Sequence, residues 1–263
     1  MNNVDIAAEL MTVTGAEREM KLRENLPVLP SKAELVVFAS DVKALIFPDI
    51  YGSGTDALLL LAKVESTLRK YTSESNVGAF VAQLPEIKRL LLTDVYAVTH
   101  NDPAVAGGVE VVLSYPAIHV MTYYRAAHAL YALGIPMIPR MLTEIAHCDT
   151  GIDIHPAARI GEYFAIDHGT GIVVGETCII GNHVMLYQGV TLGARNFSYD
   201  DAGMPIDVPR HPILEDNVTV YSNTSILGRV TIGHDTIIGG NVWLTHDVPP
   251  NSRIVQHSAV SEK

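Results

Sequence analysis

The stretch from Leu214 to Leu244, LEDNVTVYSNTSILGRVTIGHDTIIGGNVWL, decides the fold. An aliphatic residue returns at every sixth position: Leu214, Val220, Ile226, Ile232, Ile238 and Leu244. Four residues after each stands a β-branched one: Val218, Thr224, Val230, Thr236, Val242 and Val248. A period of six matches neither a helix (3.6) nor a simple strand (2). Short strands joined by tight turns do satisfy it. Each hexad supplies one flat face, its aliphatic residue points inward, and three faces close one triangular coil. Successive coils stack through main-chain hydrogen bonds around a column of Ile, Val and Leu.

The same step extends upstream through Ile154, Ile160 and Ile166, then Val174, Ile180, Leu186 and Leu192, making thirteen aliphatic residues in register. Glycine follows several of them, as at Gly161, Gly175, Gly181, Gly193, Gly233 and Gly239, where the chain has to turn a corner. Two irregularities break the run. The step from Ile166 to Val174 is eight, and the surplus falls in Asp167-His168-Gly169-Thr170-Gly171, the composition of a bulge or pushed-out turn. Between Ala194 and His211 the repeat is abandoned, and Tyr199-Asp200-Asp201-Ala202-Gly203 with Pro205 predicts an external loop. Loops carried on a stiff scaffold are where binding groups tend to sit.

Residues 1–148 follow a helical pattern instead. Asp56 to Tyr71 places Leu58, Leu61, Val64, Leu68 and Tyr71 on one stripe, and Pro85 to Val98 repeats it with Ile87, Leu91, Val95 and Val98. A third helix is predicted from Pro116 to Leu133, closed by Gly134. Asp102-Pro103 and Ala106-Gly107-Gly108 mark breaks. The predicted organisation is α+β: an all-α domain over 1–148, a parallel β-helix over 149–250 with the loop 194–211 outside it, and a short tail over 251–263.

Composition narrows the function. The chain has 263 residues, 48% apolar and 18% charged, enough to bury a proper core. Its 18 Lys+Arg against 29 Asp+Glu leave a formal charge of −11, which offers no footprint for nucleic acid or an anionic membrane. Two cysteines, Cys148 and Cys178, make no disulfide framework and point to a reducing cytoplasm. The start, MNNVDIAAEL, is acidic where a signal peptide is basic. Val111 to Tyr124 contains Pro116 and stops at Arg125, short of the roughly 18 apolar residues of a membrane span.

DIHPAARIG (153–161), DHGTGIVVGET (167–177), QGVTLG (188–193) and RHP (210–212) together resemble bacterial serine O-acetyltransferase, and DVYAVTHNDPAV (94–105) resembles a segment of its helical half. The resemblance covers about residues 90 to 250. It implies a left-handed β-helix and transfer of an acetyl group from acetyl-CoA to the hydroxyl of L-serine. His168 would be the general base, since an imidazole at hydrogen-bond reach can take the proton of a weakly nucleophilic alcohol. Asp153 would be the carboxylate that orients it. Asp102 and Asp167 match positions that hold the substrate ammonium, and Arg210 and His211 those near its carboxylate, an ion that suits an Arg fork. Backbone amides around Gly193 and Ala194 would meet the oxyanion, and CoA would run along Ser222, Gly239 and Gly240.

The resemblance also implies a homo-oligomer, a trimer or a dimer of trimers, with acetyl-CoA as co-substrate and no metal. The chain departs from the family in two places. The loop 194–209 is longer than the common form, and the chain closes on Ser261-Glu262-Lys263 rather than an isoleucine, so no complex with the sulfhydrylase is expected. Taken singly, Asp102, Ser222, Gly239 and Gly240 read as turn residues, and Arg125, His119 and His128 as packing groups of one helix. Trp243 reads equally as a surface ring or a nucleotide platform. Three other functions fit the repeat: an O-acetyltransferase acting on a sugar or other hydroxyl, a non-catalytic scaffold, and a zinc lyase of the γ-carbonic anhydrase kind. The lyase wants two His about five residues apart, whereas the His gaps from residue 155 onward are 13, 15, 28, 23, 12 and 11.

Overall fold

The computed structural model describes residues 2–22, 27–52, 54–196, 198–201 and 203–256; the closing Ser261-Glu262-Lys263 and Ala202 of the external loop lie outside them. The first half is helical: α1 (Asn3–Met11), α2 (Gly15–Glu19), α3 (Lys32–Ile46), a π-helical turn (Pro48–Gly52), α4 (Ala57–Leu68), α5 (Glu74–Asn101), α6 (Gly108–Ser114), α7 (Pro116–Ala132) and α8 (Ile138–Thr150). Their boundaries have local causes. Asp56 caps α4 by accepting the Leu58 amide at 2.8 Å, and Gly151, in the left-handed region at φ 72°, closes α8.

Two helices differ from the sequence expectation. In α4 the buried residues are Leu60, Val64 and Leu68, while Leu58 is exposed; four consecutive leucines leave the phase of a stripe undetermined by pattern alone. The second helix was expected to begin at Pro85, but α5 begins at Glu74, capped by the Ser73 side chain, and runs through that proline. Proline removes one intrahelical bond, but the buried face Val77, Phe80, Leu84, Ile87 and Leu91 continues across it and outweighs the loss.

Fourteen short strands follow among the described residues: β1 (Asp153–Ile154), β2 (Arg159–Ile160), β3 (Ala165–Asp167), β4 (Val173–Val174), β5 (Ile179–Ile180), β6 (Met185–Tyr187), β7 (Thr191–Gly193), β8 (Ile213–Leu214), β9 (Thr219–Val220), β10 (Ser225–Leu227), β11 (Thr231–Ile232), β12 (Ile237–Ile238), β13 (Trp243–Leu244) and β14 (Arg253–Ile254). Every third strand pairs in parallel until the last coil. The first face is β1-β4-β7-β10-β13, the second β2-β5-β8-β11, the third β3-β6-β9-β12-β14. This is a parallel β-solenoid of about five coils, the architecture of the expected left-handed β-helix. All thirteen aliphatic residues of the six-step register are buried. Thr224 and Thr236 are buried with them, their hydroxyls bonded to the Gly239 carbonyl (2.6 Å) and the Pro249 carbonyl (3.3 Å), so neither polar group is orphaned.

The two halves are locked by one buried ion pair. Arg125 of α7 donates to both carboxylate oxygens of Asp94 of α5 at 3.1 and 3.0 Å, and to the carbonyls of Ile160 and Gly161 at 2.7 Å each. Asp94 also accepts the Phe164 amide at 3.2 Å, just ahead of β3. Arg125 is thus a packing group, as its helix position suggested. The excursion between β7 and β8 folds back on itself outside the coils, with a bridge from Tyr199 to Pro205 and a bond from the Ile206 amide to the Ser198 carbonyl (2.8 Å). Among the described residues, no helix is long and apolar enough to cross a membrane.

Candidate active site

The first face has a turn at each end, and most of the residues singled out in the sequence sit at one or the other. The turn between β3 and β4 carries His168. The residue is left-handed at φ 57°, followed by Gly169 at φ 90° and Gly171 at φ 81°. A Cβ on Gly169 would lie 2.5 Å from Ile152 Cδ1, so only glycine fits this detour. The two surplus residues push the imidazole outward, with 72% of its side chain exposed. Its Nε2 stands 3.7 Å from Asp167 Oδ1, an electrostatic contact beyond hydrogen-bond range.

The helical half supplies the other side of this turn. Asp102 is the C-cap of α5. Its Oδ2 accepts from the Tyr115 hydroxyl at 2.7 Å, and its Oδ1 accepts the Ala104 amide at 2.8 Å. These bonds, Tyr115 first, hold the Asp102 carboxyl below the usual carboxylate range, and His168 adds a smaller favourable charge interaction. The Tyr115 hydroxyl is pushed up to about 12, chiefly by Asp102, with Asp167 acting in the same direction. Asp102, Asp167, His168 and Tyr115 therefore form one cluster: two carboxylates beside an exposed imidazole.

Asp153 borders the same turn, its amide donating to the Ile172 carbonyl at 2.9 Å. The residue opens β1, and among the described residues no hydrogen bond joins it to His168. Its carboxylate groups with Glu144 and His147 of α8, their potential ligand atoms all within 4.8 Å of one another. One imidazole and two carboxylates are a donor set suited to a divalent transition ion. Arg140 already pairs with Glu144 there, and the trio shares no residue with the His168 cluster.

The turn between β4 and β5 receives Arg210 and His211 as the chain returns from the external loop. The Thr177 hydroxyl accepts the Arg210 and His211 amides at 2.9 and 3.0 Å. The Thr177 amide donates to His211 Nδ1 at 3.1 Å, which leaves the ring proton on Nε2. Arg229 pins the same turn by donating to the carbonyls of Thr177 (2.7 Å) and His211 (3.0 Å). His211 lies so close over Gly175 that a Cβ there would be 2.0 Å from His211 Cδ2. Burial, then the neighbouring Arg210 charge, lowers the His211 ring to about 4, so it is neutral at pH 7. The Arg210 guanidinium bonds Glu176 and, at 3.4 Å, Asp207.

Along the His168 edge, Gln188, Ser222 and Gly240 hold the same repeat position, two residues after the inward Leu186, Val220 and Ile238, as His168 does after Ile166. The stacking is explicit. Asp167 is the register partner of Tyr187, the Asn223 amide donates to the Gln188 carbonyl, and the Asn241 amide donates to the Ser222 carbonyl, both at 2.9 Å. A Cβ on Gly240 would sit 3.1 Å from the Ser222 carbonyl oxygen. Beside this line, Tyr187 and Tyr221 stack with ring centres 4.7 Å apart. Gly193 ends β7 and Ala194 opens the external loop. Trp243 is 71% exposed.

Sequence reasoning missed Tyr115, Thr177, Gln188 and Arg229. Thr177 and Gln188 stand inside the quoted motifs DHGTGIVVGET and QGVTLG, so attention to those runs could have found them. Tyr115 and Arg229 act from outside any motif and left no signal.

Residues 211–246 match the family model described as bacterial transferase hexapeptide (six repeats). A plasmid serine acetyltransferase of Synechococcus elongatus is 52% identical over 192 residues, 73% of this chain and 60% of that protein. The serine acetyltransferase of Bacillus licheniformis is 42% identical over 167 residues, 64% of this chain and 74% of that one. Among solved structures, Entamoeba histolytica serine acetyltransferase 1 in complex with L-cysteine superposes with a TM-score of 0.76 at 31% identity, covering 90% of this chain and 94% of that one. Isoform 3 from the same organism, in complex with cysteine, gives 0.74 at 30% identity, covering 92% and 87%. The chain thus spans about three fifths of the Synechococcus relative's length and most of the length of the others.

Proposed function

This chain belongs to the serine acetyltransferase family, and from that premise we propose that it moves the acetyl group of acetyl-CoA onto the hydroxyl of L-serine, releasing O-acetyl-L-serine and CoA. The observation that carries the reading is the cluster of Asp102, Asp167 and His168, two carboxylates facing an exposed imidazole from two different domains.

An amino acid presents an ammonium, a carboxylate and, in serine, a hydroxyl. Asp102 and Asp167 take the ammonium, which sets the hydroxyl beside His168. His168 accepts the hydroxyl proton as the oxygen attacks the thioester carbon. When the tetrahedral intermediate collapses, the carbon–sulfur bond breaks and the imidazolium returns that proton to the leaving thiolate. Asp153 accepts no side-chain hydrogen bond among the described residues, so it is available to orient the imidazole once substrate fills the turn. The neutral His211, with its proton on Nε2, and Arg210 bind the substrate carboxylate. Amides at Gly193 and Ala194 meet the oxyanion, and CoA follows the line of Ser222, Gly239 and Gly240.

His168 and His211 occupy opposite ends of one face in a single chain. A trimer in which the His168 edge of one copy meets the His211 edge of the next joins the two halves of the site, and this division supports the homo-oligomer. The two cysteines are free thiols, in keeping with work in a reducing cytoplasm.

The test is thiol release from acetyl-CoA in the presence of L-serine. His168→Ala lowers the turnover by about 10²- to 10⁴-fold with CoA binding retained. Equal turnover on a sugar hydroxyl would favour the other acetyltransferase reading, and no thiol release with any acceptor would leave the scaffold reading.

A further inference from the structure

One side-chain polar atom in the described residues is buried without a partner: the carbonyl oxygen Oε1 of Gln188. A buried acceptor left unpaired is destabilising, and such groups in native proteins tend to mark a missing donor. The place of this one is informative. Gln188 holds the repeat position of His168 one coil later, and it starts the line that continues through Ser222 and Gly240. Strands of adjacent coils are about 4.8 Å apart.

From this we infer that Gln188 Oε1 is the acceptor for the amide N–H of the co-substrate arm next to the thioester, and so positions the acyl group against His168. The inference rests on the acetyl-CoA reading above and deepens it. The donors of the amino-acid substrate are already matched, its ammonium by Asp102 and Asp167 and its hydroxyl by His168. The thioester arm brings amide N–H groups that no residue assigned so far accepts. Three bonds separate the thioester sulfur from the first of these nitrogens, a reach comparable with one coil step. A thioester held over His168 and running along the edge therefore presents that N–H at the level of Gln188. The amide torsion of a glutamine is broad, so Oε1 turns from its buried position toward the incoming donor at little cost. The stacked Tyr187 and Tyr221 rings form the wall on the third-face side and keep the arm on this line.

The experiment compares two small thioesters with L-serine as acceptor: S-acetyl-N-acetylcysteamine, which keeps the amide, and S-ethyl thioacetate, which lacks it. The native enzyme prefers the first by about tenfold in kcat/KM. Gln188→Met, similar in size but with only a weakly accepting thioether, erases most of that preference and raises the KM for acetyl-CoA by about tenfold, with the KM for L-serine unchanged. Gln188→Glu keeps an acceptor oxygen and retains the preference. Equal loss on both thioesters, or a change confined to the L-serine KM, overturns the inference. Calorimetric titration with CoA alone separates it from the functional reading. A native protein that binds CoA but ignores L-serine breaks the acceptor assignment, while Gln188→Met still decides the role of Gln188 through its CoA affinity. A native protein that does not bind CoA overturns both.

Discussion

The two turns that flank the first face solve different problems. The His168 turn is open: its imidazole is 72% exposed, with Asp167 of the coil 3.7 Å away and a second carboxylate, Asp102, held by Tyr115 in the helical half. The His211 turn is closed: its histidine is 8% exposed and is held from within by Thr177, Gly175 and Arg229. A group that must exchange a proton needs room and a neighbouring charge. A group that only recognises a carboxylate needs a fixed donor. The first turn therefore depends on how the helical half docks, and the second on the coils alone.

Undoing the docking should break this comparison most severely. Arg125→Met leaves Asp94 buried without its partner and strips the donors from the Ile160 and Gly161 carbonyls. Removing one member of a buried ion pair costs about 3–5 kcal/mol, so the thermal or denaturant midpoint should fall sharply. Asp94→Leu combined with Arg125→Met removes both charges and should recover part of the loss. In protein that remains folded, the L-serine KM should rise, because Asp102 loses its setting against His168. A stability change below about 1 kcal/mol would show that the halves do not depend on this pair.

The opposite turn can be disturbed alone. Gly175→Ala places a methyl where the His211 ring lies, 2.0 Å from Cδ2, and the ring has to leave. A hydrogen bond to a charged group is worth about 1.5–3 kcal/mol, so the L-serine KM should rise by about tenfold or more. CoA affinity should change far less than the L-serine KM, because within each chain the line through Gln188, Ser222 and Gly240 lies at the other end of the face. Loss of CoA affinity would mean the two turns are not independent.

How far these turns were legible in the sequence follows from what each is made of. The coils are local: every inward Ile, Leu or Val repeats one short pattern, so its period exposes them, and the eight-residue step betrays the His168 detour. The helical half offered less. The phase of α4 depended on which of four leucines meets a neighbour, and α5 crosses Pro85 because of burial that no local rule sees. The contacts that assemble the site are longer still. Tyr115 reaches Asp102 across 13 residues, Thr177 reaches His211 across 34, and Arg125 reaches Gly161 across 36. Asp153 is the case that spacing leaves open: its separation from His168 suits one coil, and its carboxylate also lies within reach of Glu144 and His147.

The smallest expected effect concerns pH, and it isolates the closed turn. Burial lowers the His211 ring to about 4, against about 6.5 in an unfolded chain. Above pH 6.5 neither state holds the proton, and this residue adds no pH dependence. Between 6.5 and 4 the unfolded chain binds a proton that the native turn refuses, so stability falls as the pH falls. Below 4 both states are protonated and the dependence ends. One group contributes at most about 1.4 kcal/mol per pH unit within that window. Burial shifts His119, His128 and His155 downward as well, so the native protein should lose stability on acidification through several rings at once. Denaturant unfolding of native and His211→Asn protein at a series of pH values separates the share of His211. The variant should show a shallower decline between pH 6.5 and 4 and an unchanged curve above it. An identical decline in the two proteins would mean that the ring over Gly175 takes up its proton as easily folded as unfolded, and the turn would then be open like its counterpart.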